Sequence, residues 1–463
     1  MTKRLVILGA TGDLTGRYLL PALAQLEASG HAPSLEILGA SREAWDTDRF
    51  RTHARDRLER HATDIPHAAR RRIVERLDYE RVDVTDPESL AAVVHADADE
   101  VIVYLALPPA LFASTIEGLA HVECPGGLRM VLEKPFGTDL ASARELNRLL
   151  HDGFEESAIF RMDHFLGKQT VQNLLGIRFA NRVFAPLWGN KHIERVDIVW
   201  DETIALEGRA GYYDRTGAVR DMIQNHLLQV LALVAMERPM SLRAERFRDA
   251  KVQLFREIQS PTPATIAGSA IRARYTRGQS EGREVPDYVD EVGVEPARDT
   301  ETFAEITLQV DNERWEGVPF RMRTGKALAS ARREIHVHFH AAEPLPFAPE
   351  ADVMPNRLLL SMDPDRLELD IALNGSGDPF RLEPRRLDLE LAPQELSAYA
   401  RLLLDALEGD PSLSIRGDEA EESWRVVEPI IAAWESGAVP LSSYPAGSSG
   451  PPQSSIPSSD TTS

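Results

Sequence analysis

Near its amino terminus the sequence reads Leu5-Val6-Ile7-Leu8-Gly9-Ala10-Thr11-Gly12-Asp13-Leu14, a short apolar run that passes into a turn with two glycines. An uninterrupted apolar run of this length, ended by glycine, predicts a strand that is buried on both faces. Glycines in the turn let a pyrophosphate approach the first N–H groups of the following helix. The spacing differs from the usual G-x-G-x-x-G, so this stretch alone fits either a nucleotide site or a plain tight turn.

Strand and helix patterns alternate over the first 165 residues or so. Further apolar runs of strand length occur at residues 35–38, 101–107 and 128–132, and Asp86-Pro87 looks like a helix start. This alternation predicts a Rossmann-like α/β domain, with a parallel doubly wound sheet, over residues 1–165.

The pattern changes in the rest of the chain. Residues 217–236 predict one long, buried helix, and later segments alternate as strands do, at 303–310, 333–339, 357–362 and 366–373. We therefore expect a larger α+β domain with a mainly antiparallel sheet over residues 166–445. Residues 446–463 are rich in serine and proline, and their composition predicts a disordered tail.

Charge and cysteine content exclude several classes of protein. The formal net charge is -21, with 73 acidic and 52 basic residues, so a nucleic-acid partner is not expected. A local basic pocket for a small anion remains possible in an acidic protein. The single cysteine, Cys124, excludes an intramolecular disulfide and a multi-cysteine metal site. With no apolar run long enough for a signal or a membrane span, we expect a cytoplasmic protein.

The end of the second predicted strand reads Gly39-Ala40-Ser41-Arg42. An NAD site usually has an acidic residue here for the ribose hydroxyls, whereas serine and arginine suit the 2′-phosphate of NADP. NADP is therefore the predicted cofactor. The alternative is that Arg42 is one of the many solvated arginines of this region.

The hydrophobic pattern gives no structural reason for the polar residues of three segments. The first, Glu133-Lys134-Pro135, follows a buried strand, and a lysine there can reach a cofactor or a substrate oxygen. The alternative is a surface lysine in a turn. The second places Asp163, His164 and Lys168 within a few residues, which allows either an oriented histidine with a small anion site or a plain polar loop.

The third polar segment, Asp221 to His226, begins the long apolar helix. Polar groups crowded at the start of a buried helix need partners, and a ligand cleft would supply them. The alternative is a core histidine that is already satisfied. Together with a dinucleotide-type opening, the three segments point to hydride transfer from a hydroxyl carbon, with a histidine as the base and no metal cluster.

At these residues the chain resembles the glucose-6-phosphate dehydrogenase family. The Asp-His-x-Leu-Gly-Lys motif at 163–168 and the Gln-Asn-His motif at 224–226 are together specific to it. Coverage runs from about residue 3 to residue 451, and the matching stretches are 9–14, 104–109, 133–137, 161–168, 172–181, 208–237, 317–328 and a last one from 418 to 448.

The resemblance implies a role for each matching residue. His226 would be the general base for the C1 hydroxyl, Asp163 would orient it, and Lys134 would contact the substrate and cofactor, with a cis peptide before Pro135. The other implied contacts are Glu202 and Asp221 for sugar hydroxyls, His164, Lys168 and Lys326 for the substrate phosphate, and Gly9, Thr11, Gly12, Leu14 and Arg42 for the cofactor.

The implied reaction is oxidation of D-glucose 6-phosphate at C1 to 6-phospho-D-glucono-1,5-lactone with hydride transfer to NADP, the first step of the pentose phosphate pathway. Family members are dimers or tetramers built through the sheet of the second domain, so a homo-oligomer is expected.

Two departures from the family pattern leave alternative functions open. Phe165 stands where the family usually has tyrosine, and Thr15-Gly16-Arg17-Tyr18 stands where it has a lysine-rich stretch. Both changes remove polar or positive groups near the predicted phosphate site. The alternatives are a diverged NAD(P)-dependent dehydrogenase that acts on another sugar or sugar phosphate, and a non-catalytic NADP-binding sensor.

Overall fold

The computed structural model describes residues 3–31, 35–94, 98–122, 127–241, 243–343, 354–377 and 381–456. Cys124 lies outside these residues. The chain divides into two compact units. The first contains Met1–Lys168, Pro239–Asp249 and Gln394–Glu421, and the second contains Gln169–Arg238, Ala250–Pro393 and Glu422–Ser463. The domain limits predicted from the sequence follow chain order, whereas the first unit also takes in two later segments.

The first unit is built on a six-stranded sheet with the order β3-β2-β1-β4-β5-β6, in which every pair is parallel. Its strands are β1 Lys3–Leu8, β2 Leu35–Ser41, β3 Leu77–Arg81, β4 Glu100–Leu105, β5 Leu128–Glu133 and β6 Ile159–Met162. This order is that of the doubly wound dinucleotide-binding fold. The Rossmann-like prediction is therefore confirmed.

Helices connect these strands and cover the sheet. They are α1 Leu20–Ala28, α2 Thr47–His61, α3 His67–Arg76, α4 Pro87–Val94, α5 Phe112–Ala120 and α6 Leu140–Gly153, and a π-helical turn, Thr15–Leu19, precedes α1. Side-chain caps begin three of them: Asp46 accepts the N–H of Arg49 at 2.8 Å, Asp139 accepts that of Ser142 at 2.7 Å, and Asp86 accepts that of Glu88 at 3.2 Å. The predicted start at Asp86-Pro87 is confirmed by α4.

The second unit contains a nine-stranded sheet with the order β16-β15-β14-β13-β7-β12-β11-β8-β17, and β9 pairs with β10 beside it. Only the β7–β12 and β8–β17 pairs of this nine-stranded sheet are parallel, so the prediction of a mainly antiparallel sheet is confirmed. The strands are β7 Ile193–Asp201, β8 Ala270–Thr276, β9 Gly278–Ser280, β10 Arg283–Val285, β11 Phe303–Leu308, β12 Phe320–Gly325, β13 Arg332–Phe339, β14 Arg357–Met362, β15 Asp365–Asn374, β16 Leu382–Glu390 and β17 Leu441–Pro445.

The remaining helices include one that the sequence described incorrectly. They are α7 Gln169–Ala180, α8 Ala210–Ala218, α9 Leu228–Ala235, α10 Ala244–Glu257, α11 Pro263–Ser269, α12 Ala398–Glu408 and α13 Gly417–Glu435. The single helix predicted over 217–236 is interrupted at Gly217 (φ 70, ψ 173) and continues as a π-helix, Val219–Leu227, before α9. A side chain at residue 217 would collide with the carboxylate of Glu301, which accepts the Val219 N–H at 3.1 Å.

The carboxyl-terminal segment is ordered further than its composition predicts. Arg323 donates to the carbonyl oxygens of Ser449 at 2.7 Å and Ile456 at 2.9 Å, and Ile456 is buried. The buried Glu305 accepts a hydrogen bond from the backbone N–H of Ser455 at 2.9 Å. The disorder predicted from residue 446 therefore does not hold for residues 446–456, because partners far away in the sequence bind them. Residues 457–463 lie outside the described residues.

In the described part of the chain, none of the helices is long and apolar enough to cross a membrane.

The close packing of β2 against α2 gives a test of the fold. A Cβ on Gly39 would lie 2.5 Å from the buried ring of Phe50, so we expect Gly39→Ala to lower the free energy of unfolding by about 1–3 kcal/mol. Gly176→Ala is the control, since Gly176 lies in α7 with open space around it and alanine favours a helix by roughly 0.5–1 kcal/mol. Thermal melting of both variants measures the effect. An unchanged midpoint for G39A would contradict the packing.

Candidate active site

The predicted site residues of the first unit follow the carboxyl ends of neighbouring parallel strands. Leu8 of β1 pairs with Ala40 of β2 and with Leu105 of β4, and Glu133 of β5 pairs with Met162 of β6. The residues that come next in the chain therefore leave the sheet at one edge, where open α/β sheets bind their ligands. The sequence placed Gly9 and Lys134 at this edge, and they lie there. Asp163, for which the sequence predicted no preceding strand, follows β6 at the same edge.

The turn after β1 has the shape of a phosphate cradle. Gly9 has φ 88, and a Cβ there would overlap the carbonyl oxygen of Ala106. The Gly9 N–H donates to the Ala40 carbonyl at 2.8 Å, and the Gly12 N–H donates to the Gly9 carbonyl at 3.0 Å. A helical turn begins at Asp13, and the first N–H groups of a helix have no intrahelical acceptor. This geometry fits the pyrophosphate of a dinucleotide.

The end of β2 carries a carboxylate that the sequence analysis missed. Thr11 donates its hydroxyl to Oε2 of Glu43 at 2.9 Å and its N–H to Oγ of Ser41 at 3.2 Å. Burial raises the pKa of Glu43, but the Thr11 hydrogen bond and nearby Arg42 outweigh it and bring this pKa below its usual value. The Arg42 side chain is 91% exposed, with Nε 3.6 Å from Oε1 of Glu43. The sequence does show an acidic residue directly after Arg42, and this was the signal from which Glu43 could have been found.

Glu133 and Lys134 end β5 beside another group that the sequence did not single out. Glu133 accepts a hydrogen bond from the hydroxyl of Tyr104, which is fully buried in β4. Burial raises the pKa of Glu133 to about 7, although Tyr104 and Lys134 act in the opposite direction, and the charge of Asp163 adds to the increase. The carboxylate of Glu133 therefore lies close to both Lys134 and Asp163. The Lys134–Pro135 peptide bond is cis, as the resemblance implied.

Residues 163–168 form a tightly bonded turn. Oδ1 of the buried Asp163 accepts the Phe165 N–H at 2.9 Å, and its carbonyl accepts the Leu166 N–H at 3.0 Å. The Lys168 N–H donates to the Phe165 carbonyl at 3.1 Å. The Asp163 carboxylate is thus fixed by the backbone next to it, which is what an orienting or charge-stabilising acid requires.

Tyr399 is a further aromatic residue that the sequence analysis missed. Its ring stacks on that of His164, with 5.6 Å between centroids and 14° between planes. Burial raises the pKa of the Tyr399 hydroxyl far above its ordinary value, and the charges of Glu133, Tyr18 and Asp163 act in the same direction. Tyr399 lies in α12, more than 200 residues after His164 in the sequence, so no local pattern could have linked the two.

The second unit brings its own predicted residues together through a parallel pair of strands. Asp201 at the end of β7 pairs with Gly325 at the end of β12, so Glu202 and Lys326 leave the sheet side by side. Nζ of Lys326 lies 2.5 Å from Oε2 of Glu202 and 5.0 Å from the ring centroid of Tyr213. This pair combines an acceptor for hydroxyl groups with a cation.

Asp221 and His226 lie on the π-helix of the second unit. They are five residues apart, which is the separation that i→i+5 bonding spans, so they lie on nearly the same side of the π-helix. Burial, followed by the charge of Asp221, raises the pKa of Tyr213, which places Asp221 near the ring that Lys326 contacts. His226 is 1% exposed, and its backbone N–H donates to Oδ1 of Asn225 at 2.6 Å.

Each unit therefore provides a distinct set of chemical groups. The first has a dinucleotide cradle with a lysine, an imidazole and fixed carboxylates next to it. The second has a buried imidazole on a π-helix together with two carboxylates and a lysine.

Comparisons with known proteins cover nearly the whole chain. Residues 6–173 match the sequence model of "Glucose-6-phosphate dehydrogenase, NAD binding domain", and residues 175–460 match that of "Glucose-6-phosphate dehydrogenase, C-terminal domain". The chain is 43% identical to the glucose-6-phosphate 1-dehydrogenase of Gluconobacter oxydans, over 97% of this chain and 94% of the relative.

Solved structures give the same result. A glucose-6-phosphate dehydrogenase in complex with its substrate glucose-6-phosphate superimposes with a TM-score of 0.89 and 32% identity, covering 98% of this chain and 96% of that one. Glucose-6-phosphate 1-dehydrogenase from Mycobacterium avium superimposes with a TM-score of 0.84 and 35% identity, covering 97% and 96%.

The raised pKa of Glu133 predicts a pH-dependent contribution to stability. Between the ordinary value of 4.5 and about 7, the folded chain keeps a proton on Glu133 that the unfolded chain releases. The contribution of Glu133 to stability therefore falls as pH rises through this window, by about 1–3 kcal/mol, and is constant above it. In Glu133→Gln this fall is absent. Melting midpoints of wild type and variant, compared from about pH 5 to about pH 8, should differ by an amount that changes up to neutral pH. A constant difference would contradict the shift.

Proposed function

The chain belongs to the glucose-6-phosphate dehydrogenase family, and from this membership we propose that it oxidises D-glucose 6-phosphate at C1 to 6-phospho-D-glucono-1,5-lactone. A nicotinamide dinucleotide accepts the hydride. The observation that carries the proposal is the retention of both family motifs on the elements where chemistry needs them. Asp163 to Lys168 follow β6 at the ligand edge of the sheet, and the Gln-Asn-His motif lies on the π-helix.

In the first unit, some groups are assigned to the cofactor, some to the substrate and one lysine to both. We assign Gly9, Thr11, Gly12 and Leu14 to the cofactor because they form the turn whose backbone fits a pyrophosphate. Lys134 is assigned to cofactor and substrate near the reacting carbon. His164 and Lys168 are assigned to the substrate phosphate, for which charge-assisted hydrogen bonds are the strong contacts.

In the second unit, His226 is the proposed general base. It takes the proton of the C1 hydroxyl while the hydride, with its two electrons, leaves C1. When bound, the nicotinamide supplies the acceptor for that hydride. The fixed carboxylate of Asp163 in the first unit is assigned to favouring the protonated base. Glu202 and Asp221 accept hydrogen bonds from sugar hydroxyls, and Lys326 donates to the phosphate.

For the cofactor we propose NADP. The guanidinium of Arg42 is exposed, follows Ser41, and can meet a 2′-phosphate with two parallel hydrogen bonds. Glu43, which would otherwise attract the ribose hydroxyls of NAD, is engaged by the hydroxyl of Thr11.

We also propose a homo-oligomer, dimer or tetramer, formed through the sheet of the second unit. β16 is an end strand of that sheet, and it pairs with β15. Leu373, Leu387 and Leu389 on these two strands are about half exposed, which is unusual for large apolar side chains grouped on an edge. Because the sequence has a single cysteine, we propose a cytoplasmic location.

His226→Asn tests the proposed chemistry. Loss of the base should lower kcat with glucose 6-phosphate by about two to four orders of magnitude and leave cofactor binding nearly unchanged. His192→Asn is the matched control, because His192 is an exposed histidine of the same unit. Formation of reduced cofactor is followed by absorbance, with glucose as the comparison sugar. Near-normal turnover by H226N would remove His226 as the base, and a wild-type enzyme that prefers glucose would contradict the substrate.

Arg42→Ala tests the cofactor. Without the guanidinium, KM for NADP should rise by about tenfold or more, and KM for NAD should stay within about twofold because NAD lacks the 2′-phosphate. Steady-state kinetics with each cofactor at saturating sugar phosphate measure both values. Arg49→Ala is the control, since Arg49 is an exposed arginine of the adjoining α2. Equal changes for NAD and NADP would contradict the assignment.

A further inference from the structure

Three aromatic rings of the first unit form a continuous stack that ends on the candidate phosphate ligand His164. The rings of Tyr18 and Tyr399 lie 4.8 Å apart at 18°, and those of Tyr399 and His164 lie 5.6 Å apart at 14°. On another side, Phe165 meets the imidazole in an edge arrangement, at 5.1 Å and 68°. The imidazole therefore has two aromatic neighbours, one stacked on it and one in an edge-to-face arrangement with it.

The frame around this stack is fixed by hydrogen bonds from both sides. The side chain of Gln25 in α1 donates to the Glu395 carbonyl at 2.9 Å and accepts the Ser397 N–H at 2.9 Å. The side chain of Gln394 donates to the Gly167 carbonyl at 2.8 Å. The start of α12, which carries the central ring of the stack, is thus attached to the helix that follows Tyr18 and to the turn that carries His164.

Tyr18 is the outer member of the stack and is 46% exposed. It lies in the π-helical turn directly after the phosphate cradle. The family has a lysine-rich stretch at this place, and the chain has instead an uncharged ring with one face against Tyr399. A side chain this exposed contributes little to the core. We therefore infer its role from the residue on which it packs, which is Tyr399.

We propose that Tyr18 is a positioning residue for the substrate phosphate, which acts by holding Tyr399 against His164 so that the imidazole keeps the orientation in which it donates to that phosphate. This inference rests on the proposed function, where His164 is assigned to the phosphate. In this chain an aromatic stack takes the place of the positive charge of the family's lysine-rich stretch.

The expected consequence is confined to substrate affinity. A phosphate on C6 is remote from the bond that breaks at C1, and we expect the contact of one of its ligands to act as uniform binding, made equally in the ground state and in the transition state. Losing the orientation of one of its ligands therefore raises KM and leaves kcat unchanged. A residue that only supported the fold would alter kcat, cofactor binding and stability together.

The experiment compares wild type, Tyr18→Leu, which removes the ring, and Tyr18→Phe, which keeps the ring and removes the hydroxyl. We expect Y18L to raise KM for glucose 6-phosphate by about three- to tenfold, the range for one aromatic pair, with kcat and KM for NADP within about twofold. Y18F should resemble wild type. Calorimetric titration of the cofactor-free protein with glucose 6-phosphate measures the same loss without turnover.

The outcomes separate this inference from the proposed function. An active wild-type enzyme whose KM is unchanged in Y18L overturns the inference and leaves the function intact. Equal losses of substrate affinity in Y18L and Y18F overturn it too, because the hydroxyl of Tyr18 and not its ring would then be responsible for the affinity. A wild-type protein that binds the sugar phosphate without oxidising it contradicts the function, and weaker binding by Y18L would still support the stack. Failure of wild type to bind the sugar phosphate overturns both.

Discussion

Parallel pairing of strands determines where the candidate residues of this chain lie. Parallel neighbours end at the same edge, so the residue after each strand is placed beside the residue after the next. In the first unit this brings together the turn at Gly9 and the ends of β5 and β6. In the second, mostly antiparallel sheet the pair β7–β12 is parallel, and the Glu202–Lys326 pair follows it. Antiparallel pairing of β7 and β12 would send these two residues to opposite edges.

Electrostatics at these edges reconcile an anionic substrate with a chain of net charge -21. Lys326 is paired with Glu202, and the carboxylate of Glu133 lies near both Lys134 and Asp163. Each edge therefore offers a local cation although the chain as a whole is acidic. The high pKa of Glu133 means that the carboxyl beside Lys134 is partly protonated near neutral pH. This lowers the negative charge that an incoming phosphorylated sugar meets at that edge.

The sequence was sufficient for features that depend on short-range pattern. Apolar runs located β1, β2, β4 and β5, and with them the positions of Gly9, Arg42 and Lys134 at strand ends. Prediction from the sequence failed where a residue far away in the chain determines the local structure. At Gly217 (φ 70) the helix is interrupted where Glu301 leaves no room for a side chain, and residues 446–456 are ordered because Arg323 and Glu305 bind them. Tyr399 contacts His164 across more than 200 residues of sequence, and no local period encodes that contact.

The two departures from the family pattern converge on one side chain. Phe165 lacks the hydroxyl of the usual tyrosine, and Tyr18 lacks the charge of the usual lysine-rich stretch. The sequence alone therefore predicts that both changes weaken phosphate binding. In the structure Phe165 and the His164 imidazole form an edge-to-face pair, and Tyr18 stacks on Tyr399, which stacks on that imidazole. Aromatic contacts restrict a ring without adding charge or competing for its hydrogen bonds. If His164 binds the phosphate as proposed, these contacts preorganise it, and preorganisation of a ligand contributes to affinity as an added contact does.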